Sequence, residues 1–324
     1  MDCRIRNNSG FTLIELSIVL VIIGLLVGGV LVGQDLISAA AVRAQISQIE
    51  KYQTAVNTFR VKYGYLPGDI PDPTASAFGF YARGGGAQAE GDGNGLIEGQ
   101  NGNVTPGVSV FCGEAQLFWT DLSQANMIDG GGYSASNLTC GNFTVTPSQV
   151  ANYLPAAKIG QGNFVFVWSG GWLEIGNYNF GTSQDRYNYF GLSAVIGSSG
   201  VPGFGGIPFS NVSISAAQAY AIDSKIDDGL PQTGRVLAMY PALGTNFDGG
   251  WAAGGTNITA QGVQAWGDYS TVNGGPVTNP GNIGDGTAAG PYSCFDGSAG
   301  LPEKYSMEIN HGSGQNCALS FRFQ

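Results

Sequence analysis

The sequence predicts an α+β protein. One long N-terminal α-helix, apolar at first and amphipathic afterwards, packs on a globular head made of an antiparallel β-sheet with long glycine-rich loops. Three observations predict this. Leu16–Gly33 is a run of eighteen residues without a charge, long enough to cross a bilayer as a helix. From Val42 to Tyr63 apolar residues recur at steps of three and four, the period of a one-sided helix. From Tyr65 onward Gly, Asn, Ser, Thr and aromatics dominate, with short strand-like runs between glycine turns, the pattern of antiparallel pairing.

The apolar run opens with an anomaly. The stretch SGFTLIELSIVLVIIGLLVGG holds a single acid, Glu15. A carboxylate at bilayer depth is costly and is kept where a partner neutralises it. Nothing nearby in this chain is cationic except the short polar segment MDCRIRNNSG, with Arg4 and Arg6. Basic residues ahead of an apolar helix hold that end in the cytoplasm. A secretory signal places a small-residue cleavage site after its apolar region; here the small residue, Gly10, comes before it and Phe11 follows. A cut between Gly10 and Phe11 creates an α-amine one helical turn from Glu15. That amine, or a neighbouring subunit's, answers the carboxylate, since opposite charges in a low dielectric attract strongly and relieve each other's desolvation.

Gly10-Phe11-Thr12-Leu13-Ile14-Glu15-Leu16 and the apolar run after it, with Gly24, resemble the N-terminus of the type IV pilin and pseudopilin family. The resemblance implies cleavage after Gly10 by a prepilin peptidase, N-methylation of Phe11, and a role for Glu15 in recruitment to a growing filament. It implies an inner-membrane assembly platform and other pilin subunits, or further copies of this chain, as partners. The place it implies is the inner (cytoplasmic) membrane, crossed once with the head outside the cytoplasm, and then a periplasmic or cell-surface filament. The sequence departs from the family at Val32, where many members carry proline; Gly28, Gly29 and Gly33 loosen the helix instead.

The resulting division is a leader at 1–10, a transmembrane part at 11–33, an amphipathic stem at 34–63 and a head at 65–324. The stem stripe is Val42, Ile46, Ile49, Gln53, Val56, Phe59 and Tyr63, broken only by Gln53. Tyr63-Gly64-Tyr65-Leu66-Pro67 ends the helix with a glycine and then a proline. A helix from Phe11 to Tyr63 spans roughly 80 Å at about 1.5 Å per residue. In the head, helices are expected at Glu114–Ala125 and Ser215–Asp227. Strands are expected at Asn163–Trp168, Trp172–Ile175, Tyr187–Phe190, Gly234–Met239 and Ala318–Phe323.

From Tyr65 onward 19 acids face 7 basic residues. Such a head repels phosphate backbones, so no nucleic-acid partner is expected. Cys3 leaves with the leader, and Cys112, Cys140, Cys294 and Cys317 remain. An even count outside the cytoplasm fits two disulfides. Of three pairings, Cys112–Cys140 with Cys294–Cys317 is preferred because each closes a local loop. A zinc site lacks a C-x-x-C pair, and His311 is the only histidine.

Gly91-Asp92-Gly93-Asn94-Gly95-Leu96-Ile97-Glu98 resembles part of a calcium loop, with Asp92, Asn94 and Glu98 as ligands. The match is partial: Leu96 and Asn103 stand where an EF-hand carries a ligand and an acid. A structural calcium ion is therefore one reading and a plain Asp/Asn/Gly turn the other; no other cofactor is expected. The run IDSKIDDGLPQTG, from Ile222 to Gly234, reads as helix, glycine stop, turn and strand, with Asp223, Asp227 and Asp228 as turn caps or cation ligands. Trp168, Trp172, Trp251 and Trp266 either stack on sugars or anchor the core.

No enzyme is expected. With one imidazole and no G-x-S-x-G elbow there is no nucleophilic triad, and no P-loop or dinucleotide fingerprint is present. The expected function is structural: a subunit of a type IV pilus-like filament. The rivals are a pseudopilin of a type II secretion system, and a membrane-tethered adhesin, lectin or hydrolase that uses a pilin-like anchor.

Overall fold

The computed structural model describes residues 12–83, 91–99, 109–134, 144–169, 187–198, 208–211, 213–231, 233–241, 249–251, 294–296, 304–307 and 315–324. The chain divides into two compact units, Met1–Ala41 and Val42–Gln324. Helix α1, Leu13–Tyr63, runs through the boundary between them. In the first unit it contains an apolar window with a mean hydropathy of 2.8, none of it buried. Among the described residues this is the one helix long and apolar enough to cross a membrane. Every large aliphatic side chain from Leu13 to Val32, with Leu36 and Ile37, is exposed. A soluble chain does not leave so much contiguous apolar surface in water.

In the second unit α1 is followed by α2 (Thr74–Ala77), α3 (Gly113–Gln124) and a 3₁₀ turn at Pro147–Asn152. Strands β1 (Phe164–Ser169), β2 (Asn188–Ser198), β3 (Pro208–Asn211) and β4 (Ile214–Ser215) come next, then helix α4 (Ala216–Ile226). Strands β5 (Val236–Leu237), β6 (Met239–Pro241), β7 (Gly249–Trp251), β8 (Phe295–Asp296), β9 (Lys304–Tyr305), β10 (Gln315–Cys317) and β11 (Leu319–Arg322) complete the order. The main sheet is antiparallel, ordered β1-β2-β11-β5, with β3 also pairing β2. The C-terminal strand thus lies beside the longest one, Phe321 opposite Phe190.

The expected elements form with shifted ends. Helix α4 starts where Ser215 caps Gln218 N–H and the Gln218 side chain returns to Ser215 N–H, a capping box. The Tyr187–Phe190 strand continues to Ser198, because its residues are buried along almost the whole length. The expected Gly234–Met239 strand begins only at Val236, where the Asp227 carboxylate accepts from the Arg235 and Val236 N–H groups, and it is split into β5 and β6 at Ala238, whose N–H donates to Pro231 C=O at 2.7 Å. The expected strand Trp172–Ile175 lies outside the described residues. The stem stripe also differs. Val42, Ile49, Val56 and Phe59 are buried, but Gln45, Gln48 and Tyr52 join them, while Ile46, Gln53 and Tyr63 are only half-buried.

The glutamines are buried because the head supplies backbone partners. Lys158 N–H donates to Gln48 Oε1 at 2.9 Å and Ile159 N–H donates to Gln45 Oε1 at 3.0 Å. Gln48 Nε2 donates to Ala156 C=O and to the Tyr52 hydroxyl, both at 2.9 Å. Beside this polar clasp the stem joins an aromatic core. Tyr52 lies 5.0 Å from Trp119 of α3 and 6.1 Å from Phe190 of β2, and Phe190 stacks on Phe323 at 4.3 Å, all between ring centroids. Trp168 is also core: it is 1% exposed and donates its indole N–H to Ser320 Oγ. That burial removes it as a sugar platform. Trp172 and Trp266 lie outside the described residues.

Phe166 of β1 faces Gly191 of β2. A Cβ at Gly191 would stand 2.0 Å from the Phe166 ring, so the ring occupies the space that any larger residue needs. Gly191→Val is expected to destabilise the head by roughly 1–3 kcal/mol, the usual cost of overpacking. Thermal unfolding of the detergent-solubilised chain checks this, and Phe166→Leu in the same chain should recover part of the loss, since contacting sites couple.

Candidate functional site

Three places bring chemistry-bearing residues together, one in the first unit and two in the second. In the first, Thr12 precedes helix α1. Its backbone N–H and its hydroxyl both donate to Glu15 Oε2 at 2.8 Å, and Glu15 N–H donates to Thr12 Oγ1 at 3.3 Å. This reciprocal pair is a capping box, which satisfies helix N–H groups that have no partner within the helix. Sequence reasoning missed it, although the T-x-x-E spacing from Thr12 to Glu15 is its signature. Gly10 and Phe11 lie outside the described residues. Glu15 thus has a local partner in Thr12.

In the second unit, the loop Gly91–Glu98 wraps around carboxylates that belong to other segments. Glu114, at the start of α3, is fully buried. Its Oε1 accepts from Gly91 N–H at 3.0 Å and Asp92 N–H at 3.3 Å, and its Oε2 accepts from Glu98 N–H at 3.0 Å. Asp69, just after the stem, accepts from Gly93 N–H at 2.7 Å and Gly95 N–H at 2.9 Å. Asn188 of β2 closes the ring, accepting from Ile97 N–H and donating to Gly95 C=O. The glycines are required by close approach. At Gly68 and Gly91, both with φ near +87°, a Cβ would meet the carbonyl oxygens of Glu114 and Ile70 at 2.3 Å.

The expected ligand trio sits on this loop in an altered arrangement. Asn94 Nδ2 donates to Asp92 Oδ2 at 3.0 Å and to Glu98 Oε2 at 3.3 Å, and its Oδ1 accepts from Leu96 N–H at 2.7 Å. The carboxylates that converge are Asp69, Asp92 and Glu114, with oxygens within 4.8 Å of one another. Asp69 and Glu114 were not singled out from sequence, being far from the loop along the chain.

Burial favours the protonated form of Asp69 and Glu114. It raises Asp69 to about 7, against the backbone N–H groups that favour its anion. Burial, and then the charges of Asp69 and Asp92, push Glu114 well above the usual range. In the IDSKIDDG run, burial raises Asp223 to about 7. Asp223 accepts from the Tyr305 hydroxyl at 2.9 Å and from Gly229 N–H at 3.2 Å. Asp228 accepts from Leu230 N–H and the Thr233 hydroxyl. Together with Asp227 these acids tie helix, turn and strand β5 into one unit, while their oxygens also lie within 4.8 Å of one another.

Cys294 and Cys317 form a disulfide, the pairing preferred from sequence. Cys112 is disulfide-bonded as well; Cys140, its expected partner, lies outside the described residues. A groove of about 900 Å³ runs beside the stem, with Glu50, Lys51, Tyr52, Asp129, Tyr133 and Lys158 among its lining residues. Its charges are mixed and include no serine–histidine pair, and His311 lies outside the described residues.

Residues 5–31 match the family described as Prokaryotic N-terminal methylation motif. With the long exposed apolar helix, this is consistent with a type IV pilin or pseudopilin, and with membrane anchoring before assembly. No match was found among curated proteins or among solved structures.

The raised acids fix the sign of a pH dependence. An acid with a raised folded-state pKa contributes stability that is complete below its unfolded value and is lost as pH rises through its folded value. For Asp69 and Asp223 the window runs from about 4 to about 7. The melting temperature is therefore expected to be higher at pH 5 than at pH 8 in the presence of EGTA, and Glu114→Gln is expected to reduce the difference.

Proposed function

We propose that this chain is a structural subunit of a type IV pilus-like filament. It is cleaved after Gly10, N-methylated on Phe11 and assembled through α1 with Glu15 pairing to an α-amine. The observation that carries the reading is the methylation motif at 5–31 directly joined to a helix whose apolar face is bare from Leu13 onward. Apolar surface of that size needs lipid before assembly and other helices after it. Its expected partners are prepilin peptidase, an assembly platform in the membrane, and subunits carrying the same kind of helix. The same residues serve a pseudopilin of a type II secretion system, and identifying the filament that contains the chain decides between the two.

The expected result is a mature chain in isolated filaments that begins with N-methylated Phe11 by mass spectrometry. Finding assembled chain that still starts at Met1 refutes the reading. Two substitutions separate the roles of Glu15. Glu15→Val is expected to leave cleavage intact and impair incorporation. Glu15→Gln keeps a residue that can complete the capping box but removes the charge. It is expected to impair incorporation equally, and normal filaments from Glu15→Gln would leave Glu15 with a capping role only.

A second reading concerns calcium, favoured by the convergence of Asp69, Asp92 and Glu114. A divalent cation there would take the place of the protons that burial favours on Asp69 and Glu114, with Asp92 supplying the exposed arm. Carboxylate oxygens are the donor type that calcium prefers. Millimolar calcium is expected to raise the melting temperature at pH 8 by binding the folded chain alone, and Asp92→Asn is expected to weaken the rise. An unchanged melting temperature removes calcium from the account.

A further inference from the structure

The groove beside the stem lies wholly within the second unit, between α1 and two stretches of the head, residues 126–133 and 155–158. Its volume of about 900 Å³ falls in the range of sites for organic ligands. Along the stem it runs from Ala44 to Thr58, roughly 20 Å at about 1.5 Å per residue, so it suits an elongated molecule. The stem wall carries the Thr54 and Thr58 hydroxyls, which donate to carbonyls of their own helix at 2.9 and 2.8 Å and keep lone pairs as acceptors. Deeper in, Tyr52 is 9% exposed, with its ring edge-on to Trp119. Its hydroxyl oxygen accepts from Gln48 Nε2 at 2.9 Å, and among the described residues nothing accepts its proton. Burial, partly offset by Gln48 and reinforced by Tyr133 and Asp129, pushes this hydroxyl up to about 12, so the proton stays. A buried donor without an acceptor is costly until a bound group supplies one.

The charges in the groove narrow the class of ligand. Glu50, Lys51, Asp129 and Lys158 are exposed, and none of them is in an ion pair among the described residues. Two acids and two lysines leave no net charge, so the groove selects neither a phosphate nor a polycation. A bound peptide needs a free strand edge or a row of apolar pockets, and the large aliphatic side chains on these walls are Met127 and Ile128, both half-buried. Donors and acceptors set beside tyrosine rings suit a molecule whose hydroxyls both donate and accept and whose rings present C–H faces. We propose that the groove binds a neutral oligosaccharide, with the Tyr52 hydroxyl and the Asp129 carboxylate on its hydroxyls and the Tyr133 ring against a sugar face. Stem and head form this site together. Gln48 orients the Tyr52 hydroxyl and is itself held by Lys158 N–H and Ala156 C=O, each at 2.9 Å.

The test uses the full chain in a sugar-free detergent and reads binding by saturation-transfer NMR, so its outcome does not depend on filament assembly. The probes are cellohexaose, chitohexaose and mannohexaose as neutral chains, with hexagalacturonate as the charged control. Transfer to at least one neutral probe is expected, and less to hexagalacturonate. Asp129→Asn and Tyr133→Ala are each expected to weaken binding of that neutral probe by about fivefold to tenfold, the usual worth of one hydrogen bond or one ring contact. Tyr52→Phe keeps the ring, removes the donor and is expected to lose about as much. If Tyr52→Phe lowers the melting temperature, the exposed Asp129 decides, since its substitution leaves the core intact. Three results overturn the proposal: no transfer to any neutral probe at millimolar concentration, transfer to hexagalacturonate alone, or binding that Asp129→Asn and Tyr133→Ala both leave unchanged.

Discussion

Glu114 accepts three backbone N–H groups from a single loop while buried completely, and much of the head near the stem depends on that contact. A glycine-rich segment has little apolar surface to bury, and its N–H groups must still find acceptors once water is excluded. Glu114 and Asp69 provide them from inside. The arrangement links the residues just after the stem, the start of α3 and the middle of β2, since Asn188 holds the same loop. Loop, helix and sheet therefore order together. The consequence is a group of acids in a low dielectric, which binds protons, or a cation, more readily than acids in water.

Helix α1 meets a different constraint, because one element serves two environments. Before about residue 38 its apolar side chains have no protein to cover them. After Val42 it has a buried side on which aromatic packing and amide hydrogen bonds alternate. The clasp of Gln45 and Gln48 on the backbone of residues 156–159 works by geometry as well as affinity. A hydrophobic contact tolerates sliding, whereas a primary amide that reads both N–H and C=O groups fixes one register. A stem fixed in register is what a subunit needs if force or neighbours act on the head.

The acids of the head divide by what they hold. Asp69 and Glu114 hold a loop that carries polar, exposed side chains, and Asp223, Asp227 and Asp228 hold the junction of α4 with β5. In the second group nearly every oxygen has a donor from the same short segment or from Tyr305. That gives a run of three acids in six residues a structural role. In the first group Asp92 remains exposed at the rim, so one of its three acids stays in contact with solvent. The difference follows from where each acid sits relative to solvent.

The sequence by itself determined the membrane-competent helix, its end at Tyr63, the position of α3 and α4, most of the sheet and the N-terminal methylation motif. These are local matters: an uncharged run, a 3.6-residue period, a glycine followed by proline, and a motif of seven consecutive residues are all visible along the chain. It also pointed to Asp92 and Asn94, because a turn rich in Asp, Asn and Gly is local too. Tertiary structure alone decided that Asp69 and Glu114 stand behind that turn, that Gln45 and Gln48 belong to the buried face, and that Trp168 is core and not a sugar platform. In each case the partner lies far away along the chain: Gln48 meets residues 156–158, and Trp168 meets Ser320. A polar residue is buried when a distant segment supplies its hydrogen bonds, and no local pattern records which segment that will be.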